Sequence, residues 1–176
     1  MIGDRWGVTA AEMARPYPCD EWVESPTLVA WRGVTVNVSP EDLWPWITQV
    51  RVAPYSYDWI DNAGRRSPRT LLGLPEPTAG ESFTCAAGVK LGRILSVEAP
   101  RPLTARIAGA VMSYVLERPP REAGTRLVMK IVSETPRPLA PLLSVGDLVM
   151  ARRQLLNWKH LAETASALQA SAEPKR

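Results

Sequence analysis

The sequence predicts an α+β fold in which a curved antiparallel sheet of six to seven strands wraps around a long C-terminal helix, with two short helices after the first strand. Three patterns indicate this. An alternating apolar run precedes a short helical segment, strand-like segments fill residues 81–135, and one long helical pattern closes the chain. Because helices do not alternate with these strands, the order favours an antiparallel meander over a parallel sheet.

The chain has 176 residues, of which 45% are hydrophobic and 22% charged, as expected for one globular domain that needs no disulfide to fold. The 21 basic and 18 acidic residues are scattered along the chain, which argues against nucleic-acid binding. Cys19 and Cys85 are far apart and His160 is the single histidine, so the sequence predicts no metal site and no cofactor.

The start of the chain lacks the pattern of a secretory signal, and no apolar run is long enough to cross a bilayer. We therefore expect a cytoplasmic protein without stable membrane insertion, present as a monomer or weak homodimer. We expect a single domain over residues 1–176, with an N-terminal arm over 1–27, a core over 28–170 and a frayed tail over 171–176. The proline-rich arm could close over a pocket, add an edge strand or be partly ordered.

The first half of the chain predicts one strand and two short helices. The run TLVAWRGVTVNV, beginning at Thr27, alternates as a half-buried strand does. Ser39 and Pro40 follow as N-cap and first helical residue, so a helix should begin at Pro40. A second short helix is expected near residues 57–62.

The second half predicts five strands and the long helix. The strands are the segments ESFTCAA, VKLGRILSVEA, LTARIAG, VMSYVLE and TRLVMKIVSE, separated by turn-like breaks that include the loop 121–124. The helix should begin between Pro141 and Gly146 and run to about Leu168. Its predicted apolar face comprises Val145, Leu148, Val149, Leu155, Leu156 and Ala162, with Arg152 inside the same face.

One short helix cannot cover such a sheet, so the long helix must lie across its concave side. A curved sheet wrapped around a helix leaves space between the two. The sequence therefore predicts a small-molecule cavity between the sheet and the C-terminal helix.

This order of elements resembles the helix-grip fold of the SRPBCC superfamily, which includes START lipid-transfer domains, birch-pollen-allergen proteins and polyketide cyclase/dehydrase-like proteins. The blocks that carry the resemblance are WGVTAAEMARPYPCDEW, VTVNVSPEDLWPWITQV, YSYDWIDNAGRRSP, GTRLVMKIV and GDLVMARRQLLNWKHLAE, which are similar to blocks of an uncharacterised bacterial subgroup. The chain departs from that subgroup at Cys19, where a glycine is usual, and at Tyr114, where a tryptophan is common. The resemblance implies a hydrophobic cavity within a functionally mixed superfamily.

The ligand-binding residues that we predict are aromatic, apolar or cationic side chains placed to face the cavity: Trp46, Tyr55, Tyr57, Trp59, Phe83, Met112, Tyr114, Met129, Leu148, Arg152 and Leu155. The aromatic residues could instead pack the short helices onto the sheet, and the methionines could be ordinary core. Arg152 is the candidate anchor for a ligand carboxylate or phosphate, and the alternative is a salt bridge to Glu98 or Glu117.

Two functions follow from this cavity. The preferred one is non-enzymatic binding of a small hydrophobic or amphipathic ligand, lipid- or polyketide-like. The alternative is a cyclase, dehydrase or hydrolase acting on a polyketide-like or aromatic substrate. Asp58, Tyr55, Tyr57, Arg152 or an inward-facing carboxylate would then have to supply a proton donor or base. No catalytic residue is assigned, and a polar residue isolated deep in the cavity would distinguish the two functions.

Overall fold

The computed structural model describes residues 3–119, 123–136 and 140–172. Its strands are β1 (Arg5–Trp6), β2 (Leu28–Val36), β3 (Thr84–Ala86), β4 (Val89–Leu91), β5 (Arg93–Val97), β6 (Leu103–Ile107), β7 (Ala110–Glu117) and β8 (Thr125–Ser133). Its helices are α1 (Ala10–Ala14), α2 (Pro40–Thr48), α3 (Asp58–Asp61) and α4 (Ala140–Ala172), with 3-10 turns at Pro18–Trp22 and Gln49–Arg51. Residues 121 and 122 of the predicted loop and 173–176 of the predicted tail lie outside the described residues.

The main sheet has six strands in the order β1-β2-β8-β7-β6-β5, which confirms the predicted fold class. Neighbouring strands are antiparallel except β1 and β2, which are parallel. The arm therefore adds a short edge strand. At the opposite edge, the β5 register shifts between Ile94 and Ser96, which interrupts the ladder.

One predicted strand is divided in two. The segment VKLGRILSVEA forms β4 and β5, with Gly92 between them at φ +67°, a conformation that favours glycine. Because the chain turns there, β4 pairs with β3 in a separate hairpin, and only β5 joins the main sheet.

The start of α2 confirms the prediction that Ser39 is the N-cap and Pro40 the first helical residue. The Ser39 hydroxyl accepts a hydrogen bond from the Asp42 backbone N–H at 3.1 Å, and Pro40 is the first residue of α2. The second short helix is α3. The long helix α4 begins at Ala140, slightly before the predicted start, and continues past Leu168 to Ala172.

The predicted face of α4 was partly wrong: Leu155 and Ala162 are buried as predicted, but other residues of that face are not. The buried face carries Ala151, Leu155, Trp158 and Ala162, whereas Val145 and Val149 are exposed. Steps of four and three residues from Ala151 to Ala162 keep these side chains on one side of the helix. This face packs on the concave side of the sheet, against the residues predicted to point inward from β7 and β8: Met112, Tyr114, Leu116, Leu127, Met129 and Ile131.

The N-terminal arm covers the other face of the sheet. Tyr17 and Cys19 are buried against Val111, Val128 and Val132, which point away from α4. Three ion pairs fasten the arm to the strands, between Arg15 and Glu117, Glu12 and Arg126, and Lys130 and Asp20. Both faces of the central strands are thus buried.

A close backbone approach joins the arm to β2. Gly7 follows β1 with φ +65°, and a Cβ there would lie 2.3 Å from the carbonyl oxygen of Gly33. Real Cβ atoms do not approach a backbone oxygen so closely, and neither backbone segment can move without disturbing the sheet edge.

We predict that Gly7→Ala lowers the free energy of unfolding by about 2–4 kcal/mol, because a left-handed φ and a backbone clash act together. Denaturant unfolding measures this. Gly64→Ala is the matched control, since Gly64 has φ +77° with no atom within 4 Å of the added Cβ. Equal losses in the two variants would contradict a tight arm–sheet contact.

Candidate functional site

The space between the sheet and α4 is largely filled by aromatic side chains. Trp158 is fully buried, with its ring centroid 5.4 Å from that of Tyr114 and 6.2 Å from that of Tyr55. Phe83 stacks on the other side of Tyr114 at 6.2 Å. These contacts remove most of the volume that a curved sheet would leave beneath the helix.

A cavity of about 150 Å³ that opens to solvent lies beside these rings, and we call it the interior cavity. Ligand pockets of drug-sized molecules span roughly 300–1,000 Å³, so this cavity holds a small group but not a whole lipid. Its lining comprises Val50, Pro54, Ser56, Asp61, Phe83, Thr84, Ile107, Met112, Tyr114, Met129, Asp147, Met150, Ala151 and Gln154.

Several groups in the interior cavity are polar and buried. The Tyr114 hydroxyl donates a hydrogen bond of 2.8 Å to Gln154 Oε1, and the Ser56 hydroxyl donates one to Asp61. Asp61 Oδ1 and Thr84 Oγ1 are buried without a hydrogen-bond partner among the described residues. Burial raises the pKa of the Asp61 carboxyl, because it disfavours the charged form.

An ion pair between a buried arginine and a partly exposed aspartate lies beside the interior cavity. Arg32 of β2 is fully buried, and its Nη2 donates to Asp147 Oδ2 at 2.9 Å and to the Ser144 carbonyl at 3.2 Å. Burial raises the pKa of Asp147 to about 6, although the Arg32 guanidinium acts in the opposite direction. This carboxyl therefore titrates close to neutral pH.

A larger site lies outside the aromatic core, between α4 and the segment that follows α2. This connector groove has a volume of about 870 Å³ and is open to solvent on one side. Its lining combines aromatic, cationic and polar side chains: Tyr55, Ser56, Tyr57, Asp58, Trp59, Arg66, Ser67, Arg69, Arg153, Leu156, Asn157, His160 and Leu161.

Hydrogen bonds fix the floor of the connector groove. Tyr55 has φ 57°, unusual for a bulky residue, and its hydroxyl accepts a bond of 2.8 Å from Gln49 Nε2. Asn157 of α4 donates to the Tyr55 carbonyl at 2.8 Å, which joins the helix to the segment. The Asp58 carboxylate accepts bonds from the Ser67 backbone N–H and hydroxyl at 3.0 and 2.6 Å. The groove is therefore a preformed surface.

The connector groove is cationic. Arg66, Arg69 and Arg153 have no carboxylate partner among the described residues, while the Asp58 carboxylate is turned to Ser67. The Arg153 guanidinium lies over the Tyr57 ring, 5.6 Å from its centroid. Three cations beside aromatic surfaces can bind an anion that carries a flat or apolar body.

The structure distributes the predicted ligand-binding residues among several places. Tyr55, Tyr57 and Trp59 line the connector groove, and Phe83, Met112, Tyr114 and Met129 line the interior cavity. Trp46 borders a neighbouring depression of about 290 Å³ that shares Arg69, His160 and Leu161 with the groove.

Three further predicted residues line neither these two spaces nor the depression beside Trp46. Leu155 is fully buried in the core, and Leu148 is half-buried. Arg152 is exposed, with its guanidinium 5.3 Å from the centroid of Trp6, and forms no ion pair with Glu98 or Glu117 among the described residues. The next residue, Arg153, faces the groove instead, because one helical step rotates a side chain by about 100°.

Sequence reasoning missed most of the polar groove residues. His160 is exposed, as predicted, yet it lies in the groove with Arg153 and Asn157. These three residues recur at steps of four and three along α4, so their shared face was a readable signal. Asp147 gave no such signal, because its partner Arg32 is distant in the chain.

No family model matches the chain, and no curated protein matches it. Among solved structures, a protein from Nitrosomonas europaea aligns with a TM-score of 0.53 and 14% identity, over 81% of this chain and 99% of that one. A protein from Rhodobacter sphaeroides aligns with a TM-score of 0.52 and 18% identity, over 86% and 97% of the two chains. An AHSA1-like protein from Rhizobium etli aligns with a TM-score of 0.47 and 12% identity, over 80% and 87%.

The Nitrosomonas and Rhodobacter proteins share the fold of this chain, and identities this low show the fold alone. The six-stranded sheet around a long C-terminal helix is of the helix-grip type. Within the described residues, no helix is long and apolar enough to span a membrane. No cluster of metal-ligating side chains occurs in the same part of the chain.

We predict that a ¹³C NMR titration of the Asp147 carboxyl gives a midpoint near pH 6, and that Arg32→Gln raises it further by removing the opposing charge. The folded state binds this proton more tightly than the unfolded chain, whose ordinary pKa is 3.8. The contribution of Asp147 to stability therefore falls as the pH rises from about 4 to about 6. A midpoint near 4 in the folded protein would contradict this environment.

Proposed function

We propose that the protein binds a small amphipathic ligand in the connector groove, with an anionic group facing the arginines and a lipid- or polyketide-like body against the aromatic rings. The observation that carries the proposal is the set of three arginines, without a carboxylate partner among the described residues, beside aromatic residues in a groove of about 870 Å³. This volume lies within the range of about 300–1,000 Å³ that is typical of ligand sites. Membership of the SRPBCC superfamily, proposed from the sequence blocks and the helix-grip fold, agrees with such a role.

The charges favour an anionic ligand over a purely hydrophobic one. Arg153 is held over Tyr57, so part of its side chain is ordered before any ligand arrives. A charge-assisted hydrogen bond contributes about 1.5–3 kcal/mol, whereas a neutral group would leave the guanidinium without a partner. The interior cavity adjoins the groove at Ser56, which lines both spaces. Because its volume is about 150 Å³, it can hold at most a small protruding group of the same ligand.

A pair of fluorescent probes tests this proposal. 1-Anilinonaphthalene-8-sulfonate carries a sulfonate on an aromatic body, and N-phenyl-1-naphthylamine has the same body without the charge. We expect the sulfonate probe to bind the folded protein more tightly, and Arg153→Gln to weaken it about tenfold while leaving the neutral probe unchanged. Fluorescence titration measures both affinities, with circular dichroism to verify folding.

Arg152→Gln is the matched control, since it removes the same charge one residue away, outside the groove. Its affinity for the sulfonate probe should equal that of the wild type. The reverse result, with Arg152→Gln impaired and Arg153→Gln normal, would return the anchor to Arg152 and refute the groove assignment. Native mass spectrometry of the purified protein can then identify a natural ligand.

A second candidate function is a cyclase/dehydrase-type reaction, and one observation favours it. Asp61 Oδ1 and Thr84 Oγ1 are buried without a hydrogen-bond partner in the described part of the chain, and both residues line the interior cavity with Tyr114. Such groups can exchange protons with a substrate carbonyl or hydroxyl. Loss of water from a β-hydroxyketone probe, followed by mass spectrometry, tests this function. Asp61→Asn should abolish turnover and preserve binding of the sulfonate probe.

A further inference from the structure

A second surface adjoins the mouth of the connector groove. It consists of exposed apolar residues on α3 and β4, Trp59, Ile60, Val89 and Leu91, together with Arg65, Arg66 and Lys90, and we call it the docking face. Trp59 is 74% exposed, Val89 57%, Ile60 52% and Leu91 39%. Because soluble surfaces seldom expose several large apolar side chains together, this combination indicates an interaction site.

The two segments of the docking face are held together by hydrogen bonds. Asn62, at the end of α3, accepts a bond of 2.9 Å from the Ala87 backbone N–H and donates one of 2.6 Å to the Arg65 carbonyl. The Arg65 guanidinium lies against Gly88 in the turn of the β3–β4 hairpin. The exposed apolar residues on both segments therefore belong to one ordered surface.

The docking face is positively charged. Arg65, Arg66 and Lys90 have no ion-pair partner in the part of the chain that the structure describes. The carboxylates nearest in sequence, Asp58 and Asp61, are bonded to Ser67 and Ser56. The surface thus offers three cations, none of them in an ion pair within the described residues, beside protruding apolar groups.

We propose that the docking face binds the surface of an anionic lipid bilayer. Tryptophan is favoured at the boundary between headgroups and acyl chains, and basic side chains are attracted to anionic headgroups. Trp59 and Arg66 also line the connector groove, so a bilayer on this face would meet the groove mouth. The proposal concerns a surface site and stands independently of any ligand in the groove.

Two other occupants fit the face less well. A second copy of the chain, docked by the same face, would bring two surfaces that each carry Arg65, Arg66 and Lys90 together, and these like charges repel. An acidic protein would favour pockets that enclose its anchoring side chains, whereas here the apolar side chains project outward. A soft anionic surface accommodates projecting groups without such pockets.

Vesicle co-sedimentation tests the proposal. We expect the wild type to bind phosphatidylcholine vesicles with about 30% phosphatidylglycerol at least tenfold more tightly than pure phosphatidylcholine vesicles, with a loss in high salt. Arg65→Gln/Lys90→Gln should weaken binding about 25-fold, at about fivefold for each charge. Ile60→Ser/Val89→Ser should weaken it about tenfold.

Matched controls remove equal charge or equal apolar area elsewhere. Arg5→Gln/Arg101→Gln changes two exposed cations outside the face, and Leu142→Ser/Val149→Ser changes two exposed apolar residues of α4. Both should bind vesicles as the wild type does. Equal losses in the controls and the docking-face variants would overturn the assignment, as would equal binding to neutral vesicles or no binding to either kind.

Three further measurements distinguish bilayer binding from the other occupants and from ligand binding in the groove. A dimer in analytical ultracentrifugation that Ile60→Ser/Val89→Ser dissociates would assign the face to a second copy and refute bilayer binding. Capture of an acidic protein that competes with the vesicles would assign the face to that protein and would also refute bilayer binding. None of the four substituted docking-face residues lines the groove, so binding of the sulfonate probe reports on the proposed ligand function separately.

Discussion

Trp158 packs against Tyr55 and Tyr114, and this contact determines how α4 sits on the sheet. The indole is fully buried between the sheet and the segment that contains Tyr55. Burial of a side chain this large contributes several kcal/mol, even though its Nε1 has no partner among the described residues. Because the indole fills the interior, the larger open space lies outside it, along the neighbouring face of α4.

The aromatic core and the connector groove share Tyr55 and the helical turn that contains Asn157 and Trp158. Tyr55 touches Trp158 with its ring and forms the floor of the connector groove with its backbone, held by Asn157 one position before the tryptophan. The same helical turn thus presents a buried indole to the sheet and an amide to the groove. Substitutions at the core contact will therefore change the shape of the groove as well as the stability of the fold.

The sequence predicted the architecture because its signals are local and repeated. Ser39 and Pro40 mark the start of α2, and alternation along β7 and β8 identifies the inward residues around Tyr114 and Met129. The N-terminal arm was harder to place, because its edge strand is only two residues long and depends on the contact of Gly7 with Gly33. Such a contact is set by tertiary structure and leaves no periodic pattern.

The site was less predictable for a related reason. The apolar face of α4 was assigned from aliphatic residues, which placed Val145 and Val149 inside and left Trp158 out. The groove lies on a different side of α4 from this buried face, and Arg153 rather than Arg152 faces it. The pairing of Arg32 with Asp147 joins distant parts of the chain, and periodicity along one element cannot reveal it.

The N-terminal arm has a consequence for behaviour at high concentration. Beneath it lie Val111, Val128 and Val132, an apolar outer face that continues across the central strands, and β1 pairs with part of the edge of β2. Proteolytic loss of the arm would expose an apolar sheet face and an unpaired strand edge together, and this combination promotes aggregation. The opposite edge strand, β5, is a poor template for pairing with another chain, because the register shift between Ile94 and Ser96 interrupts its ladder. By covering this face and pairing with β2, the arm protects the protein from self-association.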